Sequence, residues 1–193
     1  RGKLMLAVAG ALCAACLIYT WSRGAWLGCL IGLFIFMLMY SKNTLVFLLF
    51  CLFAIPFLPF ILPDSIIQRF MSIGNLGDSS TSYRVYIWQG VVNMLSDCFG
   101  GGIGIGNDSF KLVYPYYALS GIETAPHSHN LYLQICVEIG IFGLIVFLAA
   151  MFLYVQGAFT LHTNEKRNTR LLSAAIMCGM LSVLAQGFTD YIW

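Results

Sequence analysis

Two of the three histidines in this 193-residue chain stand two positions apart, in His127-Ser128-His129-Asn130. An apolar run begins directly after them at Leu131, so the pair sits at the mouth of a helix. A helix N-terminus disfavours imidazolium, and neutral imidazole is what general-base removal of a hydroxyl proton requires. Capping a helix at a membrane interface is the plainer use of such a pair. A zinc site is short of ligands, because no Cys and no nearby Asp accompanies the histidines. Arginine offers the complementary chemistry. Arg23, in Ser22-Arg23-Gly24-Ala25-Trp26-Leu27, opens a second apolar run, and Arg84 lies in a polar stretch. A guanidinium fork holds a phosphate or pyrophosphate in a bidentate way, although an arginine at a helix mouth also serves as a simple interfacial anchor.

Past the histidines, Asn130, Gln134 and Glu138 recur at helical spacing and make one polar stripe. If that helix is straight, Glu138 lies about 10 Å below its mouth. An unpaired carboxylate at that depth is costly, so the stripe points into a bundle. There it forms an interhelical hydrogen-bond seam, or Glu138 orients an arginine or the base histidine.

The elements that must position these groups are apolar runs: Leu4–Tyr19, Ala25–Tyr40, Thr44–Leu62, Leu131–Phe159 and Leu171–Phe188. Pro56 and Pro59 should kink the far end of the third. Charged residues make up 9% of the chain and hydrophobic ones 60%, with mean hydropathy +0.83. An ordinary soluble domain carries about 25% charge, so the solvent for most of this chain is lipid. Disorder is excluded by the same figures, and a net charge of +2 without clustered Lys and Arg excludes nucleic acid as a partner. Of seven cysteines, only Cys98 falls outside the apolar runs, which argues against a disulfide framework. Cys13 and Cys16 lack a second pair and read as packing. The chain starts at Arg1 without Met and stops at Trp193, so it is expected to be a piece of a longer protein.

The expected fold is an all-α integral membrane protein, a polytopic bundle of about five transmembrane helices with one long extracytoplasmic loop carrying short helices. Residues 1–62 form three helices and 63–130 the loop with an interfacial helix. Residues 131–159 form a further helix, 160–170 a cytoplasmic loop and 171–193 the last helix. Arg1, Lys3, Lys42, Lys166, Arg167 and Arg170 share one side in short segments, which marks that side as cytoplasmic. Arg23, the stretch from Pro63 to Ser128 and Asp190 then meet at the outer face. Gly24, Gly28 and Gly32 form a double G-x-x-x-G for close helix contact, and Ala7, Ala11 and Ala15 repeat the idea in the first run. In the loop, Val85, Trp88, Val92 and Leu95 predict a helix from Ser82, as N-cap, to Phe99. The run from Gly100 to Asn107 matches no nucleotide motif. It reads as a turn with several positive φ angles, or as a nest of N–H groups facing an anionic headgroup.

His129-Asn130, nine residues, Gly140, two residues, Gly143 resembles the histidine motif of the O-antigen ligase and polymerase superfamily. The segment from Ser22 to Leu27 resembles its arginine motif, and Arg84-x-x-x-Trp88 and Gly102-x-Gly104-x-Gly106-x-x-x-Phe110 also resemble its members. The resemblance covers about residues 20 to 145. It implies a bacterial inner-membrane glycosyltransferase that moves a glycan from an undecaprenyl-pyrophosphate carrier to an acceptor hydroxyl on the outer side, with no metal or other cofactor. Lipid, glycan and protein hydroxyls are all acceptors within the family. Arg23 and Arg84 would hold the pyrophosphate and His129 would act on the acceptor, with His127, Asn130, Glu138 and Asp190 in support. A small-anion, bicarbonate-like transporter is the alternative, but a carrier needs polar groups on a route to both faces. A scaffold explains the glycine stripes but not the clustered Arg and His.

Overall fold

The structure is a computed structural model that describes residues 2–40, 46, 49, 53, 55–60, 62–73, 75, 77–106, 108–164 and 166–192. All regular structure among the described residues is helical. The longer elements are α1 (Gly2–Tyr19), α2 (Arg23–Tyr40), α3 (Asp64–Met71), α4 (Ser79–Cys98), α5 (Ser109–Val113), α6 (Leu131–Asn164) and α7 (Arg167–Gln186). Four of them, α1, α2, α6 and α7, are long and apolar enough to cross a membrane. The expected span from Thr44 to Leu62 lies largely outside the described residues; its proline-containing end is a 3-10 helix, Ile55–Phe60.

The glycine stripe does what its spacing predicts. A Cβ on Gly28 or Gly32 would run into Ser182, Gln186 or the Cys178 carbonyl of α7, and one on Gly24 into Thr189. Without side chains at these positions the two backbones approach closely, which is how helices associate in lipid. The alanine stripe of α1 behaves differently: Ala7, Ala11 and Ala15 are exposed, since no described element covers them.

α6 is not straight. Gly140 sits inside it at φ 73° and ψ 178°, a conformation essentially confined to glycine. Two ties show how sharp the break is. The Leu131 N–H donates to the Gly187 carbonyl at 2.7 Å, and His162 Nδ1 lies 3.0 Å from the Arg170 carbonyl. About 46 Å of helix separates Leu131 from His162, but only about 26 Å separates Arg170 from Gly187 along α7. A straight α6 cannot meet both ties, so its first limb turns across the end of the bundle. Large apolar side chains of α6 are exposed only from Phe142 onward. Glu138 therefore belongs to the limb covered by protein, and the depth expected for it from a straight helix does not apply.

The glycine-rich loop fills the break. Ile103 N–H donates to the Val137 carbonyl, Gly104 N–H to that of Glu138, and Ile141 N–H to that of Phe99, at 2.8 to 2.9 Å. A broken membrane helix needs such partners for its freed backbone groups. Gly102, at φ 71°, lies against the Glu138 carbonyl, where a Cβ would overlap it. The turn reading of this loop holds, while the N–H groups of Gly102, Ile103 and Gly104 are spent on carbonyls and do not form an anion nest.

Beyond the spans, α4, α5 and the first limb of α6 enclose a small core of Ile87, Val91, Met94, Phe110, Tyr114, Ala125 and Val137. α4 starts earlier than the sequence suggested. Asp78, not Ser82, caps it, taking the Thr81 N–H on its carboxylate at 3.1 Å. This adds about one turn to the helix and leaves Arg84 well inside it.

Candidate functional site

Three chain segments converge where the first limb of α6 begins. The loop before it delivers His127 and His129, the turn after α7 delivers Asp190, and α4 delivers Arg84. His129 is left-handed at φ 51°, which is uncommon for a residue with a Cβ. Its neighbours hold it there. Ser128 is fully buried: its N–H donates to Gln134 Oε1 at 2.7 Å, its carbonyl accepts from Trp88 Nε1 at 3.0 Å, and its hydroxyl donates to the Asn130 carbonyl at 2.7 Å. Asn130 caps α6, accepting the N–H groups of Tyr132 and Leu133 at 3.0 Å, and its amide donates to the Phe188 carbonyl at 2.9 Å. The same asparagine therefore fixes both the start of α6 and the approach of the segment carrying Asp190.

His129 Nδ1 lies 3.2 Å from Asp190 Oδ1, which also accepts the Tyr191 N–H at 2.9 Å. Arg84 NH2 stands 3.8 Å from the other oxygen, Oδ2. Burial works to raise the Asp190 carboxyl, but the His129 hydrogen bond, the Tyr191 N–H and the Arg84 charge together hold it below its ordinary range. Asp190 is thus an anion between an imidazole and a guanidinium. With a proton on Nδ1 facing Asp190, His129 keeps the Nε2 lone pair of a base. Burial lowers the Arg84 guanidinium, opposed by Asp190 and reinforced by the fields of Arg23 and Arg69. Its NH1 reaches only the Ser80 hydroxyl, at 3.4 Å, and its Nε is buried without a partner among the described residues. Tyr83 anchors the same turn of α4, with its hydroxyl on the Thr124 carbonyl at 2.9 Å and its ring edge-on to His129.

Of the sequence candidates, His127, His129, Asp190 and Arg84 come together here, with Asn130 as the brace. Glu138 accepts from Gln134 Nε2 at 2.8 Å and makes no ion pair among the described residues; this bond lies within α6, so the expected interhelical seam is replaced by a bond along one helix, and it is Asn130 that reaches across, to Phe188. Arg23 lies at the same end of the bundle but is 7% exposed and already engaged. NH1 donates to the carbonyl and hydroxyl of Ser72 at 2.8 Å, and NH2 pairs with Asp78 at 2.7 Å. The Arg23 hydrogen bond lowers the Asp78 carboxyl. Sequence reading missed Asp78 and Ser72. The signal for Asp78 was present, as Asp78-Ser79-Ser80-Thr81 is a helix-start pattern; nothing marked Ser72.

The zinc argument from sequence rested on the lack of a carboxylate, and folding supplies one. His127, His129 and Asp190 each offer a ligand atom, all within 4.8 Å of one another. Such a set could hold a cation, which would then share Asp190 with Arg84.

A family model described as O-antigen ligase matches residues 8–148. No curated protein and no solved structure matches the chain. With the family model spanning more than half of its length, the chain belongs to the O-antigen ligase family.

Proposed function

We propose that this chain carries the reaction centre of a membrane glycosyltransferase that moves a glycan from an undecaprenyl-pyrophosphate carrier to an acceptor hydroxyl on the outer side of the cytoplasmic membrane. The observation that carries the reading is the line Arg84, Asp190, His129: a fixed cation, an anion and a base at one face of the bundle. The hydroxyl gives its proton to His129 Nε2 as its oxygen attacks the anomeric carbon. The carbon–oxygen bond to the pyrophosphate breaks, and that group leaves with the electron pair. Arg84, whose side chain is 25% exposed and whose NH2 stands 3.8 Å from Asp190, supplies the fixed cation for the growing negative charge, so the reading needs no metal. Asp190 stabilises the imidazolium that forms. Arg23 adds its field to this face, and through Asp78 it fixes the start of the helix that carries Arg84.

The test uses the full-length protein at normal membrane abundance. His129→Ala and Arg84→Ala should each abolish glycan transfer from the lipid carrier, and undiminished transfer by both would sink the mechanism. The side is tested with Ser120→Cys, since Ser120 is exposed. Cys98 is a poor probe, because its thiol is half-buried, donates to the Met94 carbonyl and is pushed up by burial. An impermeant thiol reagent should label residue 120 in intact cells; labelling only after lysis reverses the assignment.

A further inference from the structure

His127 stands beside the imidazole–carboxylate pair, with its ring centroid 4.1 Å from that of His129 and 5.3 Å from that of Tyr191. One base needs only one ring. The hydrogen bonds say what the second ring presents. His127 Nδ1 accepts the backbone N–H of His129 at 3.2 Å, which requires a lone pair on Nδ1 and puts the proton of a neutral ring on Nε2. His129 is the opposite case, with Nδ1 turned to Asp190 and the lone pair on Nε2. Two neighbouring rings thus offer a donor and an acceptor, which together match a single hydroxyl. Ser128 between them is pinned on three sides, so the pair is preorganised.

We infer that His127 is a second residue of the reaction centre, and that it touches the acceptor by donating its Nε2–H to the attacking hydroxyl. This rests on the reading of His129 as the base. The oxygen accepts from His127 and gives its proton to His129. It forms the new bond to the anomeric carbon, and the pyrophosphate departs with the electrons of the broken bond. His127 keeps its own proton throughout.

The test is glycan transfer by the full-length protein in membrane vesicles that contain its own lipid-linked glycan. The acceptor is the glycolipid fraction extracted from the same membranes, added in increasing amounts. His129→Gln should lose at least 100-fold. His127→Phe, which keeps the ring packing on Tyr191 and loses the donor, should fall about 30-fold in maximal rate. His127→Gln, whose amide can accept the His129 N–H and donate to the hydroxyl, should stay within about threefold. Full activity of His127→Phe, or a His127→Gln variant as slow as the Phe one, refutes the donor role. Activity in His129→Gln sinks the base reading instead, which keeps the two failures apart.

Discussion

Replacing Asp190 by Asn removes one charge, and with it the 3.8 Å pairing to Arg84, while keeping the shape of the side chain. The amide oxygen can still take the Tyr191 N–H and face His129 Nδ1, so the ring need not move. What is lost is the attraction between the carboxylate and the imidazolium that forms as the hydroxyl gives up its proton. At the observed 3.2 Å, that attraction is about 5 kcal/mol at an effective dielectric of about 20 and about 1 kcal/mol in bulk water. The two side chains are 21% and 27% exposed, which places the site between these limits, at about 2 to 4 kcal/mol. Glycan transfer by Asp190→Asn should therefore slow about 30- to 1000-fold. The assay is the initial transfer rate in vesicles holding the full-length protein, corrected for its amount by immunoblot. A rate within about threefold of the parent, with His129 variants inactive, would show that Asp190 does not serve the base. A lost rate accompanied by lost protein would place Asp190 in folding instead.

Three further outcomes follow from the geometry. Gly140→Ala forces a Cβ onto the Gly100 backbone at a glycine-only φ and ψ, so the full-length protein should lose about 2 to 4 kcal/mol of stability, seen as earlier thermal aggregation in detergent. Gly32→Leu pushes α2 off Ser182 and the Cys178 carbonyl, and should lower membrane abundance, whereas Gly157→Leu, with open space around its Cβ, should not. The Asp78 carboxyl lies below its ordinary pKa, so its tie to Arg23 contributes fully above about pH 4 and is lost only as pH falls through the folded value. Proteolysis of the segment around residues 72–78 should thus be constant from neutral pH to about pH 5 and rise only in stronger acid.

The sequence made the spans, the glycine contact and the histidine pair readable, because each depends on local period or spacing. His129 and Asn130 were legible from the helix that follows them, and Arg84 from its place in the outer loop and its spacing to Trp88. Asp190 was only a supporting candidate, since 61 positions separate it from His129 and only the docking of α7 on α6 closes that gap. Asp78 was missed because Ser82 also satisfies a capping pattern, and the choice between them is made by Arg23, which is 55 positions away. The straight-helix depth for Glu138 failed because one glycine in a continuous apolar run looks like packing. Its backbone conformation is set by a loop some 40 residues earlier, which periodicity within the run cannot report.

The break at Gly140 also resets helical phase. In an unbroken helix each added residue turns everything beyond it by about 100°. Here the polar side chains of the first limb take their orientation from the glycine-rich loop and from Gly187, on one side of the break. A residue inserted between Ile141 and Asn164 would rotate the lipid-facing limb and leave Gln134, Glu138 and the histidines facing as they do. The membrane-crossing half can thus drift in length and register, to suit bilayers of different thickness, while the reaction centre keeps its alignment.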